Sequence, residues 1–513
     1  MGVVSKGKTL EKRLYQARII ATIIHAYKTG RNILVELDAG MGKRIISYLL
    51  SKHLKEERIL IITPSQASLR DTVNTFLELY KIEGVKKDEI GWISAGTPSF
   101  KRRRILEEKR IVIATPISLA NVLRRYPNLI NNFQLVIINE VDKAVRRVSE
   151  ETEESEEAIL MSAKTYSPDR IKALRKLRLT YPWNELCKLF PKNACIIGMS
   201  GTLRDFHAVK TKEGIVFKPE IDTIIESLFP KDKELDIITM DDLIRRTDAG
   251  IYIIRNLTVI RRVKVEDEKV EKILNSLSEE IEETAEKIMT KYKELFPEKD
   301  IERIEKAIPV LPESSPLRYK LMRLALVRKF VEASIPDHYK RFLLRSGTKR
   351  IIERRTGEKI QDLIPNESSK VNVLIEIAKN WIERGEKVVI LTSYIRVAKR
   401  IREKLVKAGL ENIYLITGRT INKGAILSKF KSDEKPGILI LTPVGERDID
   451  LSDVGIIIIH DVISTVKTMY QRIKRGRRCF VIILHYGGHE EKKVLKLLER
   501  MQKKYPWSIR IEN

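Results

Sequence analysis

The sequence has little cysteine and no long apolar run. Its three cysteines, Cys187, Cys195 and Cys479, are scattered through 513 residues and form no C-x-x-C pair, so neither a zinc site nor a disulfide framework is indicated. No stretch of about 18 apolar residues is present, and the first residues lack the apolar core of a signal peptide. We therefore expect a cytoplasmic protein with no membrane partner.

What the chain does have is an excess of positive charge. Lys and Arg number 97 against 70 Asp and Glu, which gives a formal net charge of +27 and a pI of about 9.7. This excess favours a polyanionic partner, most simply nucleic acid, whose phosphates release counterions when basic side chains bind. The alternative is a generally basic surface without a specific ligand.

Short apolar runs alternate with amphipathic helical stretches in two parts of the chain. Such β-branched runs between helices predict parallel sheets that are covered on both faces. The runs lie at 33–37, 58–63, 110–115, 134–139 and 194–200, and again at 387–392, 412–417, 437–442, 454–460 and 479–484. Between the two sets, the apolar spacing over 266–296 predicts one long amphipathic helix. The fold class is thus α/β, with two sheet domains and a helical insertion between them.

The first apolar run leads into a possible phosphate-binding loop. The segment 37-LDAGMGKR-44 carries Gly40, Gly42 and Lys43 between a predicted buried strand and a predicted helix. A loop of this kind points backbone N–H groups at phosphates, and its lysine reaches the β- and γ-phosphates. Taken alone, a G-x-G-K segment fits a plain strand-to-helix turn about as well.

Further segments accompany this loop in a fixed order. They are 13-RLYQARII-20, 113-IATPISLANVL-123, 136-VIINEVDKA-144, 197-IGMSGT-202, 390-ILTSYIRVAKRI-401, 417-TGRT-420, 442-TPVGERDIDL-451 and 470-YQRIKRGRR-478. The series resembles the motifs of superfamily 2 helicases, and in detail it is similar to the archaeal Hef helicase and its eukaryotic FANCM relatives. The resemblance covers roughly residues 10–485. It implies a RecA-like domain at 1–239, a helical insertion at 240–365, a second RecA-like domain at 366–485, and a C-terminal helix and tail at 486–513.

The resemblance also implies roles for single residues in ATP chemistry. Gln16 would read adenine, Lys43 would hold phosphates, and Glu140 would position the attacking water. In an active enzyme, Arg475 and Arg478 would stabilise charge on the γ-phosphate from the opposite domain. The other residues of the implied nucleotide site are Arg13, Gly40, Gly42, Arg44, Asn139 and Asp450.

The same resemblance implies a nucleic-acid interface. The positions where the family touches the nucleic-acid backbone are Thr115, Pro116, Thr392, Ser393, Gly418, Arg419 and Thr442. In the family the insertion helps to grip branched DNA, and here it contains a strongly basic stretch that includes Arg341 and Arg345. The basic run 101–104 is either a second phosphate contact or solvated charge.

The chain departs from the family where magnesium is held. Arg44 stands where the loop needs Ser or Thr, and Asn139 stands where the acidic strand needs Asp, so both oxygen ligands for Mg²⁺ are replaced. Asp142 replaces the histidine that couples ATP to the DNA-handling motifs. Because a metal supplies several kcal/mol of transition-state stabilisation, we expect these losses to slow hydrolysis on the order of a thousandfold or more. Three further departures from the family pattern are Asp448, Lys474 and Arg477.

Two functions remain open at this stage. The first is a helicase-like DNA-binding protein with impaired or lost ATPase activity, which serves as a structural or regulatory module in DNA repair or at stalled forks. Such a protein would bind single-stranded or branched DNA, with ATP as a candidate ligand, and would work with a separate XPF-type nuclease or another repair factor. The alternative is an active ATP-dependent DNA helicase or translocase with an altered metal site, and RNA in place of DNA is a further possibility.

Overall fold

The computed structural model describes most of the chain. The residues outside the description are 1–10, 12, 82–85, 148–176, 180, 205, 212–213, 255–256, 297–307, 309–310, 313–314, 444–450, 452–453, 463–465, 475, 477–478 and 513. Asp450, Arg475 and Arg478, which the sequence placed in the nucleotide site, lie outside the described residues, as do Asp448 and Arg477. The described residues divide into two compact units: those before position 255 form the first, and Leu257 and the residues after it form the second, with 207–218 also grouping with the second.

The first unit is built on a seven-stranded sheet. Strands β1 to β11 span Asn32–Glu36, Ile59–Ile62, Ile90–Ile93, Ile111–Ala114, Leu135–Asn139, Val145–Arg147, Leu177–Leu179, Cys195–Ser200, Phe206–Thr211, Gly214–Pro219 and Leu235–Ile238. All of them belong to the first unit except β9 and β10, which fall almost entirely within 207–218 and group with the second unit. The large sheet has the order β11-β1-β8-β5-β2-β4-β3 with parallel pairs, while β6–β7 and β9–β10 form separate two-stranded sheets. Its central strands are buried along their whole length, as expected for a parallel sheet covered on both faces.

Helices cover this sheet on both sides. Helices α1 to α9 span Leu14–Lys28, Lys43–His53, Gln66–Leu79, Ser99–Glu108, Pro116–Leu123, Trp183–Leu189, Glu220–Leu228, Met240–Arg246 and Ala249–Ile254. The strand order and the connecting helices place the loops that follow β1, β5 and β8 side by side, because the carboxyl ends of adjacent parallel strands share one edge. The phosphate loop, the acidic strand end and the S-G-T segment therefore converge at that edge.

The second unit has a sheet of the same size. Strands β12 to β18 span Thr258–Val265, Val388–Leu391, Ile413–Ile416, Ile438–Leu441, Ile456–Ile459, Phe480–Tyr486 and Ile509–Glu512. Their order is β14-β15-β13-β16-β17-β12-β18, again with parallel pairs. The prediction of two RecA-like α/β domains is thus confirmed.

The helical insertion leaves this sheet after β12 and returns to it at β13. Helices α10 to α19 of the unit span Glu268–Lys291, Pro316–Ala333, Pro336–Leu343, Ser346–Thr356, Ile360–Leu363, Ser369–Glu383, Ile395–Lys407, Lys423–Ser432, Val466–Ile473 and His489–Lys504. The insertion and one face of the sheet share a single hydrophobic core, in which the rings of Phe330 and Tyr394 lie 4.8 Å apart. A second core fills the opposite face of the sheet.

The observed elements differ from the predicted insertion at its beginning. Residues 240–254 form α8 and α9 of the first unit, and Thr258–Val265 form β12 of the second sheet, so the helices of the insertion extend from 268 to 363. At the other end, the predicted C-terminal helix is followed by β18, which pairs with β12. None of the helices in the described part of the chain has both the length and the apolar character needed to span a lipid bilayer.

Candidate nucleotide and nucleic-acid sites

The phosphate loop joins β1 to α2 and has the backbone that its glycines permit. Gly40 and Gly42 have φ angles of 80° and 83°, in the left-handed region that glycine adopts without a steric penalty. A Cβ atom on Gly42 would lie 2.7 Å from the Gln16 amide nitrogen, so a side chain at this position would also disturb its neighbour. Glycine at position 42 is therefore required by both conformation and space.

Two residues of α1 form hydrogen bonds with the phosphate loop. The phenolic hydroxyl of Tyr15 donates to the Met41 carbonyl at 2.8 Å, and the Gln16 amide nitrogen donates to the same carbonyl at 3.4 Å. Gln16 also donates to the Tyr15 hydroxyl at 3.2 Å, and both side chains are buried. The structure therefore brings Gln16 to the phosphate loop, as predicted for a nucleotide site. Sequence reasoning gave Tyr15 no role, although it lies inside the R-x-Y-Q segment.

Lys43 is bound to its own loop. Its ammonium group donates to the Leu37 carbonyl at 3.0 Å. Burial lowers the pKa of the Lys43 amine, and the carboxylates of Glu140 and Asp142 oppose that shift without cancelling it. The lysine thus lies among the acidic strand end and the loop carbonyls, where a phosphate group can replace the Leu37 carbonyl as its acceptor.

The two positions that hold magnesium in the family have other surroundings here. The Arg44 guanidinium forms an ion pair with Asp71 of α3 at 2.8 Å, and each side chain is 44% exposed. The Asn139 side chain is buried, and its Oδ1 atom has no hydrogen-bond partner. A guanidinium and one neutral carbonyl are a poor donor set for Mg²⁺, which prefers carboxylate, hydroxyl and water oxygens. The residues present therefore do not fit a Mg²⁺ ion held as the family holds it.

Glu140 stands directly after β5 in a strained backbone conformation. Its φ and ψ are 54° and 53°, a left-handed conformation that non-glycine residues seldom adopt and that tends to mark functional positions. Its carboxylate forms an ion pair with Lys143, three residues further on. The Glu140 carboxylate therefore lies near two cations. Its charge opposes the lowering of the Lys43 pKa that burial causes, and it forms an ion pair with Lys143.

Asp142 connects the acidic strand end to the S-G-T segment after β8. Its two carboxylate oxygens accept hydrogen bonds from the hydroxyls of Ser200, at 2.5 Å, and Thr202, at 3.0 Å. All three side chains are buried. We interpreted Asp142 from the sequence as a departure in the ATP-coupling circuit. That interpretation stays a prediction, and the structure adds that the aspartate joins the acidic strand end to the S-G-T segment.

The nucleic-acid positions of the second unit converge at one sheet edge. Thr392 follows β13 and donates its N–H to Leu441 at the end of β15, and Thr442 donates its N–H to Ile416 at the end of β14. The side chains of Thr392 and Thr442 are buried, whereas Gly418 and Arg419 are exposed. Of these predicted positions, only Gly418 and Arg419 are therefore exposed to solvent.

Ser393 is oriented by a residue that sequence reasoning missed. Asp461, after β16, accepts the Ser393 N–H at 2.8 Å and also contacts the Ser393 hydroxyl. Burial raises the pKa of Asp461, but His460, Arg472 and Ser393 outweigh it and hold this pKa below its usual range. Arg472 belongs to the 470-YQRIKRGRR-478 segment, so Asp461 links that segment to the predicted nucleic-acid position.

The remaining predicted positions belong to other elements. In the first unit, Thr115 is buried and donates to the Ser118 hydroxyl at 3.0 Å, and Pro116 begins α5. In the insertion, Arg341 lies on α12, and Arg345 directly precedes α13; both are partly exposed.

The basic run 101–104 is partly neutralised. Arg103 and Arg104 form ion pairs with Glu107 and Glu108 one turn along α4. Of the two readings given above for this run, these pairs favour solvated charge on a helix surface.

Comparisons with known proteins agree with this arrangement. A model of the DEAD/DEAH box helicase family matches residues 13–209, and a model of the helicase conserved C-terminal domain matches residues 369–479. These two domains, on two RecA-like sheets, make the chain a helicase-like protein of superfamily 2. No curated protein matches it in sequence at a significant level.

Several solved structures share the fold. The helicase domain of Pyrococcus furiosus Hef superposes with a TM-score of 0.56 at 16% identity, covering 94% of this chain and 98% of that one. The S. cerevisiae protein Dbp5, bound to RNA and ADP BeF3, gives 0.53 at 13% identity, covering 98% of this chain and 89% of that one. The helicase MrfA bound to DNA gives 0.52 at 12% identity, covering 97% of this chain but 49% of that one.

Proposed function

We propose that the protein binds ATP in the first unit and nucleic acid along both units, and that its ATP hydrolysis is impaired. A single contrast supports the impairment: the nucleotide-holding parts of the site are in place, while the metal-holding parts are not. Gly40, Gly42 and Lys43 have the geometry of a phosphate loop, and Gln16 adjoins it. Arg44, by contrast, is engaged by Asp71 instead of offering a hydroxyl to a metal.

The orphaned oxygen of Asn139 strengthens this proposal. A buried carbonyl without a donor costs about 1–3 kcal/mol, and a bound ligand that donates to it removes that cost. In a nucleotide complex, an amide oxygen at this position can accept a hydrogen bond but cannot supply the negative charge that an aspartate supplies. Nucleotide binding without turnover is the state that these residues favour.

DNA is the nucleic acid that we propose as the partner. The excess of positive charge supplies the attraction to phosphates, and the basic residues on α12 and before α13 give the insertion a second contact surface. Neighbours of this fold have been solved with DNA and with RNA, so RNA remains the comparison to make in a binding assay. We expect single-stranded or branched DNA to be preferred, since the resemblance is to the Hef and FANCM type.

The biological setting follows from that resemblance. We propose a structural or regulatory role in DNA repair or at stalled forks, with a separate XPF-type nuclease or another repair factor as partner. Affinity purification from native cells that recovers no nuclease and no repair factor would count against this part of the proposal without touching the biochemical part.

A second candidate is an active ATP-dependent DNA helicase or translocase with an altered metal site. The observation that favours it is the intact link from Asp142 to Ser200 and Thr202, which a protein without turnover has no need to keep. Glu140 also remains, at the position of the residue that orients the attacking water.

The decisive experiment compares the natural protein with Arg44→Thr/Asn139→Asp, which restores both metal ligands. We expect the natural protein to bind ATP but to hydrolyse it very slowly with DNA and Mg²⁺ present. The double variant should gain on the order of a hundredfold or more in DNA-stimulated turnover, since two oxygen ligands for the metal return.

The controls separate the two candidates. Lys43→Ala should abolish ATP binding in both backgrounds. Turnover at ordinary helicase rates in the natural protein, abolished by Lys43→Ala, would establish the active candidate and refute the impaired one.

A further inference from the structure

The N-terminus of α1 is held by a segment far away in the sequence. Arg13 occupies the N-cap position of this helix and provides no side-chain acceptor. Asp248, directly before α9, supplies it instead: its two oxygens accept the N–H groups of Leu14 at 3.0 Å and Tyr15 at 2.9 Å. A carboxylate satisfies the free N–H groups of a first helical turn and complements the helix dipole. Asp248 thereby fixes where the R-x-Y-Q segment begins.

One turn further on, Tyr252 of α9 supports the side chains of that segment. The Arg13 guanidinium lies over the Tyr252 ring with its Cζ atom 4.3 Å from the ring centroid, and the rings of Tyr15 and Tyr252 are 5.5 Å apart. The Tyr252 hydroxyl donates to Glu11 at 3.2 Å. Tyr252 therefore contacts three side chains around the start of α1, including the tyrosine that is bonded to the phosphate loop.

The contacts of Arg13 fix the orientation of its guanidinium plane. Two nitrogens donate to Glu11 at 3.2 and 3.0 Å, and a third donates to the Tyr15 hydroxyl at 3.3 Å. One face lies against Tyr252, and a quarter of the side chain remains exposed. A planar cation fixed at its edges and backed by an aromatic ring is a platform on which a nucleobase can stack.

We propose that Asp248 and Tyr252 form a clamp that presets the base-binding end of the nucleotide site. The purine base of a nucleoside triphosphate stacks on the Arg13 face opposite Tyr252, while Gln16 contacts its edge and the loop holds the phosphates. Tyr252 is a positioning residue that acts through Arg13. The clamp rests on the proposed nucleotide binding, and it predicts that selectivity for the base depends on a residue outside every helicase motif.

The test separates the base from the phosphates. ATP and inorganic tripolyphosphate are titrated by calorimetry into the natural protein, Tyr252→Ala and Tyr252→Phe. Tyr252→Ala should weaken ATP binding about tenfold, since Arg13 loses the ring that holds its guanidinium plane in place. Its affinity for tripolyphosphate should stay within about twofold. Tyr252→Phe keeps the ring and should stay within about threefold for ATP.

Ile254→Ala serves as the matched control, because Ile254 is 72% exposed on the same helix. Equal weakening of ATP and tripolyphosphate in Tyr252→Ala would reduce Tyr252 to a structural role and overturn the clamp. Unchanged ATP affinity in that variant would overturn it as well. If the natural protein binds neither compound, the proposed nucleotide binding itself is refuted. If the natural protein binds ATP but Tyr252→Ala weakens ATP and tripolyphosphate equally, only the clamp is refuted.

Discussion

The nucleotide site of the first unit and the buried ion pairs of the insertion treat polar groups in opposite ways. In the insertion, Glu280 of α10 is 5% exposed and contacts Lys320, Arg354 and Arg355. In the nucleotide site, the equally buried Asn139 Oδ1 contacts no donor. Burial removes both groups from water, which is unfavourable, but only Glu280 has partners in the chain that offset this loss of hydration.

A second paired network joins the insertion to the rest of the second unit. Lys370 donates to both oxygens of Glu490, at 2.6 and 2.8 Å, and to the Glu332 carbonyl at 2.9 Å. Glu490 also accepts the Tyr486 N–H at 2.7 Å. These contacts join α11, α15 and α19. The contrast holds for these ion-pair networks and not for every buried group, since the Tyr339 hydroxyl and Arg323 Nε of the insertion are also buried without a hydrogen-bond partner.

The strongest way to break this comparison is to remove one partner of the buried pair. In Lys370→Met, Glu490 loses its cation in a site where the two side chains are 1% and 0% exposed. We expect the free energy of unfolding of the second unit to fall by about 3–5 kcal/mol, because the buried Glu490 carboxyl must either stay charged without its cation or take up a proton. Calorimetric unfolding measures the effect.

Two further variants show whether the loss of stability in Lys370→Met comes from the buried pair. Lys379→Met, on the exposed side of the same helix, should change stability by less than about 0.5 kcal/mol. Lys370→Met/Glu490→Gln should recover part of the loss, since the unpaired charge is gone. A single variant as stable as the natural protein would mean that the pair does not hold the insertion.

A smaller effect is expected from pH at Glu280. Burial raises the pKa of this carboxyl, but hydrogen bonds from Lys320 and Arg355 outweigh it and lower the pKa from 4.5 to about 2. A carboxylate with a lowered pKa stabilises the folded state above its unfolded pKa, and that stability disappears as the pH falls through its folded pKa. Glu280→Gln should therefore cost about 1–3 kcal/mol above pH 4.5, and the difference should shrink as the pH falls toward about 2.

Unfolding curves over this pH range check the prediction, with Glu282→Gln as the exposed control on the same helix. A difference between the natural protein and Glu280→Gln that stays constant across the range would show that packing, and not charge, accounts for the effect.

The smallest effect concerns the Arg44–Asp71 pair, and it sharpens the comparison at the nucleotide site. The pair is 44% exposed on each side, so Asp71→Asn should change stability by less than about 1 kcal/mol. Releasing Arg44 toward the phosphates should tighten ATP binding by about threefold in the absence of Mg²⁺. Glu78→Gln, exposed on the same helix, should leave the affinity unchanged. Weaker ATP binding in Asp71→Asn would show that Arg44 is no phosphate ligand.

The sequence predicted the buried strands well because their apolar runs are continuous. The run 33–37 became Asn32–Glu36, the run 134–139 became Leu135–Asn139, and the run 437–442 became Ile438–Leu441. By contrast β12 was missed, since only part of it is buried and Arg261, Arg262 and Lys264 interrupt its apolar residues. A strand near the margin of a sheet does not show the pattern of a central one.

The residues of the site were predictable in type, but their contacts were not. Motif order placed Gln16, Lys43 and Glu140, yet it could not reveal that Asp71 holds Arg44 or that Asn139 Oδ1 lacks a donor. Those facts depend on side-chain packing between elements distant in sequence. The same holds for Tyr252, which lies 239 positions from Arg13 and belongs to no motif.

The core shared by the insertion and the second sheet makes the insertion a necessary part of this unit. Because β12 and β13 enclose the insertion, shortening it to a simple loop would be geometrically easy. Such a deletion would expose to water the sheet face that includes Val388 and Ile390, which are now fully buried. The insertion thus acts as the cover of this sheet face, and its removal would leave an apolar surface in contact with water.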